Sequence, residues 1–253
     1  MLGEGRRLVD AARSEGPTLR LLGGLAVREH CRSVELCERD YSDLDMVALA
    51  RQARQLVALF ARSGYAENVE VSTATANAEL QFVRPCEHGG GPGTDPAHAD
   101  DHIDVFLDTF HMDHVIDLAR RLEIEPYTVS LSDLLLTKLQ IFRLEEKDLR
   151  DIITLLSDAE VGVEDAPGSI NGGHIGKLCA ADWGLFYDVA TNLARVDERA
   201  ATFDLSQAQV AHVRHGVARL IAAIDGAPKS VRWRLRARVG TRRMWHAQLD
   251  GQE

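Results

Sequence analysis

Apolar and polar positions alternate in two distinct rhythms along this chain. Residues 5–14 space their apolar side chains as one face of a short amphipathic helix. "TLRLL" (18–22) alternates as a strand and runs directly into Gly23-Gly24, and "LAVREHC" follows with helical composition. A second strand is expected over 43–49. "ARQARQLVALFARSG" then carries helical apolar spacing up to Gly64, a helix stop. "AENVEVST" (66–73) and "AELQFVR" (78–84) read as a β pair. The Gly-, Pro- and Asp-dense "HGGGPGTDPAHADD" (88–101) is a loop that delivers the chain into another alternating strand, "HIDVFLD" (102–108).

From Ser132 the period changes. "SDLLLTKLQIFRLEEKDLRDIITLLSD" reads as helix with Ser132 as its N-cap, followed by a turn-rich stretch over 161–176 and helices over 178–198 and 206–225. Strand-rich and helix-rich segments separated in this way predict an α+β fold. Residues 1–130 would form a mixed-sheet α/β core, and residues 131–253 a mainly helical domain with a basic tail. No internal repeat is visible.

Composition narrows the class. The 253 residues are 45% hydrophobic and 27% charged, which suits a globular chain. With four cysteines, no secretory leader and no apolar run near 18 residues, we expect unpaired thiols, a cytoplasmic location and no membrane span. Residues 229–253 hold seven Lys/Arg against Asp250 and Glu253, so the net charge of −10 hides an acidic body and a basic tail. A third helical segment is expected in the tail; alternatively, "KSVRWRLRARVGTRR", which alternates Arg with apolar residues, is a strand with one arginine face. That face would meet the acidic body or, alternatively, RNA phosphates or anionic lipid, with Trp233 free to stack on a base.

The chemistry is concentrated in "YSDLDMVA". In a strand, Asp43 and Asp45 share a face, and two carboxylates held that close repel unless a cation lies between them. Carboxylate oxygens suit Mg²⁺, and a third carboxylate would allow a pair of ions about 3.5–4 Å apart, the arrangement for in-line phosphoryl displacement. Asp104, an acid inside an apolar strand, is the candidate third ligand, with Asp108 on the same face as the alternative. Gly23-Gly24, between a strand and a helix, lets backbone N–H groups approach a phosphate. Cys86, His88, His98 and His102 raise a rival zinc site, but they straddle a loop without the required spacing. His111 and His114 are read as surface residues.

"LLGGLAVREH…RDYSDLDMV…HIDVFLD" resembles the nucleotidyltransferase superfamily related to DNA polymerase beta. "SLSDLLLTKLQIFRLEEKDLRDIITLL" resembles the helical segment of its abortive-infection toxin type. The resemblance covers residues 18–158. It implies a cytoplasmic transferase that moves an NMP from an NTP, expected to be ATP, onto an acceptor hydroxyl of tRNA, protein or a small molecule. Gly23 and Gly24 would hold the triphosphate. Asp43, Asp45 and Asp104 would be the catalytic ligands of two Mg²⁺, or Mn²⁺. Lys138 and Lys147 would neutralise phosphate charge, and Asp148 and Asp151 would orient their helix. A toxin-type member would also have a cognate antitoxin. The gap between Gly24 and Asp43 is longer than usual, with "SVELCERDY" as a small insertion. The alternative is a non-catalytic nucleotide or partner binder on the same fold.

Overall fold

The computed structural model describes residues 1–245 apart from 33, 38, 42, 76–77 and 85–101. Its elements run α1 (Leu2–Glu15), β1 (Leu19–Leu21), α2 (Gly23–His30), α3 (Val34–Cys37), β2 (Leu44–Ala48), α4 (Ala53–Arg62), β3 (Ala66–Glu67), α5 (Val69–Ala74), β4 (Glu79–Val83), β5 (His102–Leu107), β6 (Thr109–His111) and β7 (Val115–Asp117). There follow α6 (Leu131–Leu139), α7 (Glu146–Asp158), β8 (Glu160–Gly162), β9 (Ser169–Asn171), α8 (Gly172–Ala181), α9 (Trp183–Arg199), α10 (Gln207–Gly226) and α11 (Val231–Val239). This is an α+β fold with its mixed sheet in the N-terminal half and helices in the C-terminal half. The chain divides into two compact units. One comprises Met1–Glu29, Arg39–Phe110 and Asp117–Val129; the other comprises His30–Glu38, His111–Ile116 and Ser130–Glu253.

In the first unit five strands are ordered β1-β2-β5-β4-β3. The β2–β5 pair is parallel and the others are antiparallel. Strand alternation sorts this sheet into an apolar and a polar face. Leu44, Met46, Leu80, Phe82, Ile103 and Val105 are buried. Phe82 stacks on Phe60 of α4 with ring centroids 4.0 Å apart. The opposite face carries Asp45, Glu79, Gln81, His102 and Asp104, all half-buried. A sheet with one face sealed by helix and the other polar is a platform for a site, and here the polar face carries it.

Several local expectations change. The strand expected over 66–73 is only the two-residue β3. Asn68 then turns the chain, donating its N–H to Gln81 O and its amide to Gln81 Oε1, and residues 69–74 coil as α5. Val69 is exposed, so the β-branched residues that suggested a strand have no packing partner to hold them extended. The long helix from Ser132 is two helices. Ser130, not Ser132, caps α6, accepting from the Asp133 N–H. At the break, Asn192 donates to the carbonyls of Leu139 and Ile141, so the open helix end is satisfied from α9.

The tail forms the helix α11 rather than a strand. Ser230 caps it, and Trp233 is turned inward, donating its indole N–H to Cys179 O at 2.9 Å and packing edge-on against Phe186. Its exposed arginines Arg232, Arg234 and Arg238 have no ion-pair partner among the described residues, contrary to the expected pairing with the acidic body. His114 is buried, not on the surface, with Nε2 2.7 Å from Asp188 Oδ2.

Cys31 and Cys37 are joined as a disulfide around the short α3, with Cα atoms 6.5 Å apart. The six-residue separation alone did not suggest this pairing. This corrects the expectation of unpaired thiols at these two positions. Cys179 is a free thiol, pushed up to about 12 by burial, and so is inert at ordinary pH. Among the described residues no helix is long and apolar enough to cross a membrane.

Candidate active site

The β1-to-α2 turn and the start of β2 build the site together. Leu22 donates its N–H to Asp45 O at 2.9 Å, which fixes the turn against β2. Gly23 has φ +65°, a conformation that favours glycine. A Cβ at Gly23 would run into the Asp45 carboxylate. A Cβ at Gly24 would run into the Arg39 guanidinium and lie 3.2 Å from the Tyr41 ring. Arg39 itself stacks on Tyr41 at 4.4 Å. Both glycines are thus required by close approach, to a carboxylate at one and to a cation at the other. Arg39 and Tyr41 come from the segment read as an insertion; its residues 33 and 38 lie outside the described residues.

Asp45 and Asp104 are register partners on the parallel strands β2 and β5, which places them side by side on the polar face. Asp104 is held at both oxygens. Gln81 Nε2 donates to Oδ1 at 2.9 Å, and His102 Nε2 lies 3.1 Å from Oδ2. Asn68 sets this up by donating to Gln81 Oε1 at 2.8 Å, so the Gln81 amide can only present its nitrogen to Asp104.

Glu79 is the neighbour that sequence reading overlooked. It lies two residues before Gln81 on β4 and shares a hydrogen bond with Asp104. Its pKa is pushed up to about 7, first by burial and then by the negative charges of Asp104 and Asp45. Strand register was the available signal. Once β4 is laid antiparallel to β5, Glu79 and Asp104 fall on the same face.

The other expected residues are distributed differently. Asp43 is exposed and precedes β2 rather than sitting within it. Asp108 leaves β5 with φ +61° and accepts from the Ala50 N–H at 3.0 Å, so it shapes a turn. Lys138 lies in the second unit, buried between Asp148 at 2.8 Å and Asp151 at 3.1 Å. Burial works against its ammonium, but Asp151 and Asp148 outweigh it and raise the pKa above the ordinary lysine value. Lys147 is exposed and pairs with Glu145 at 3.2 Å. Cys86, His88 and His98 lie outside the described residues.

Asp45, Asp104 and Glu79 share one sheet face; carboxylate oxygens suit a hard divalent cation by their chemistry, and the negative charges of Asp104 and Asp45 add to burial in raising Glu79. Among the described residues there is no group of three or more His, Cys, Asp or Glu side chains arranged so that it could hold a metal ion. A cation here would take further oxygens from water and phosphate, as Mg²⁺ ordinarily does. Compared with family models and with curated proteins, the chain has no match in either.

Proposed function

We propose that the protein is a metal-dependent nucleotidyltransferase: an acceptor hydroxyl displaces pyrophosphate from an NTP, forming acceptor–O–NMP. The observation that carries this reading is the glycine turn pressed against Asp45, with Asp104 beside Asp45 in register. Backbone N–H groups at the start of α2 thus stand beside paired carboxylates that suit a cation. In this reading Gly23 and Gly24 present the nucleotide's phosphates, with Arg39 adding positive charge beside Gly24. Asp45 and Asp104 hold the cation, with Asp43 within sequence reach as a further ligand. Mg²⁺, when bound, lowers the pKa of the acceptor hydroxyl and offsets charge on the leaving pyrophosphate. Gln81 and His102 fix the Asp104 carboxylate so that little reorganisation accompanies reaction. Glu79, hydrogen-bonded to Asp104, takes the acceptor's proton as the new O–P bond forms. The acceptor class is RNA, protein or a small polyol, and ATP is the first donor to try.

Calorimetric titration of ATP with and without Mg²⁺ tests the first half of this reading. Binding should require Mg²⁺ and should weaken at least about tenfold in Asp45→Asn and in Gly23→Ala. Equal binding by the wild type and both variants would count against the site.

A further inference from the structure

The C-terminal segment is anchored at two points and exposed between them. Trp233 is fixed on Cys179 O, and Arg236 lies 4.3 Å over the Trp183 ring. Trp245 donates to both Asp188 oxygens at 3.0 Å and packs against Phe142, Trp183 and Tyr187. With Trp233 and Arg236 directed inward, α11 turns a defined side to solvent. That side carries Val231, Leu235 and Val239 at i, i+4 and i+8, exposed by 72%, 54% and 43%. Arg232 borders this stripe on one side, and Arg234 and Arg238 border it on the other, by helical spacing. Exposed Met244, Arg242 and Arg243 follow, and no acidic residue occurs between Val231 and Trp245.

We propose that this face of α11 docks in the plane of an anionic lipid surface. Three exposed aliphatic side chains flanked by guanidiniums suit a cover that is both apolar and negatively charged. An anionic bilayer interface supplies both: acyl boundary for Val231, Leu235 and Val239, and headgroup phosphates for the arginines, whose stems lie along the apolar boundary. Nucleic acid fits less well. Its phosphates would satisfy the arginines but leave the aliphatic stripe wet, and the aromatic that could stack on a base, Trp233, is committed to Cys179 and Phe186. The surrounding acidic body does not prevent such docking, because at physiological salt its repulsion is screened over about 8 Å.

Flotation of the full chain with phosphatidylcholine vesicles, with and without phosphatidylglycerol, tests the proposal. Binding should be at least about tenfold stronger on anionic vesicles, and fall by a similar factor in both Leu235→Ser/Val239→Ser and Arg232→Ser/Arg234→Ser/Arg238→Ser. Circular dichroism should show both variants folded. Absence of wild-type binding to anionic vesicles overturns the proposal. So does retention of binding by the folded Leu235→Ser/Val239→Ser variant. A gel shift with structured RNA runs in parallel. RNA binding lost only in the arginine variant, with vesicles unbound, would assign the face to nucleic acid. Flotation does not depend on nucleotide transfer, so its outcome is separate from that of the proposed reaction.

Discussion

At the scale of single residues the site is a problem of charge. Glu79 holds its proton to about pH 7 in the folded chain, whereas an ordinary glutamate releases it near 4.5. Between these values the folded state binds a proton that the unfolded state has lost, so this contribution to stability is complete below 4.5 and disappears as pH rises through 7. Glu79→Gln, a neutral isostere, removes that dependence. In EDTA the variant should match the wild type near pH 4 and be the more stable of the two near pH 8, as read from denaturant midpoints. An equal difference at both pH values would mean that burial and the acidic neighbours do not raise Glu79. Asp45 and Asp104 were legible in the sequence because strand alternation places an acid on a definite face. Glu79 was not, because its role depends on the register of β4 against β5, which a single strand does not reveal. Arg39 was hidden for a related reason: it reaches Gly24 only through the path of the intervening segment.

At the scale of elements, the "KDLRD" pattern acquires a structural meaning. Asp148 and Asp151 stand one turn apart on α7 and together enclose Lys138 of α6. Lys138→Met would leave two buried carboxylates without their cation and should cost about 3–5 kcal/mol in chemical denaturation. Adding Asp148→Asn and Asp151→Asn to that variant should restore most of the loss. A surface lysine, by contrast, would show an effect within about 0.5 kcal/mol. The break between α6 and α7 is likewise held by tertiary contacts. Asn192→Ala removes both carbonyl contacts and should cost about 1–3 kcal/mol. Helical composition continues smoothly through "LQIFRLEEK", so nothing local marked this break. The strand alternative for the tail fails for the converse reason. Period-two arginines suggested a strand, yet what directs the segment is Trp233 reaching Cys179 from α11.

At the scale of the whole molecule, the fold class was legible because the change from period two to period 3.6 is sustained over long stretches. Contacts between distant segments were not, among them the His114–Asp188 pair. The molecule's net charge of −10 also bears on function. A polyanionic nucleotide approaching an acidic protein needs local positive charge, which an Asp45/Asp104 cation and Arg39 would supply. Millimolar Mg²⁺ should therefore raise the unfolding temperature of the wild type, by the equivalent of about 2.7 kcal/mol at a hundredfold excess over Kd, and leave Asp45→Asn/Asp104→Asn unmoved. An equal rise in both would indicate only diffuse counterion binding.

The most direct measurement is transfer itself. The protein would be incubated with Mg²⁺ and each α-³²P-labelled NTP, with total RNA, lysate protein and a panel of small polyols and aminoglycosides offered separately. The proposed chemistry predicts label in one acceptor fraction with pyrophosphate released, reduced at least about 10²-fold in Asp45→Asn. Label carried equally well by Asp45→Asn, or Mg²⁺-dependent nucleotide binding with no label in any fraction, would contradict it.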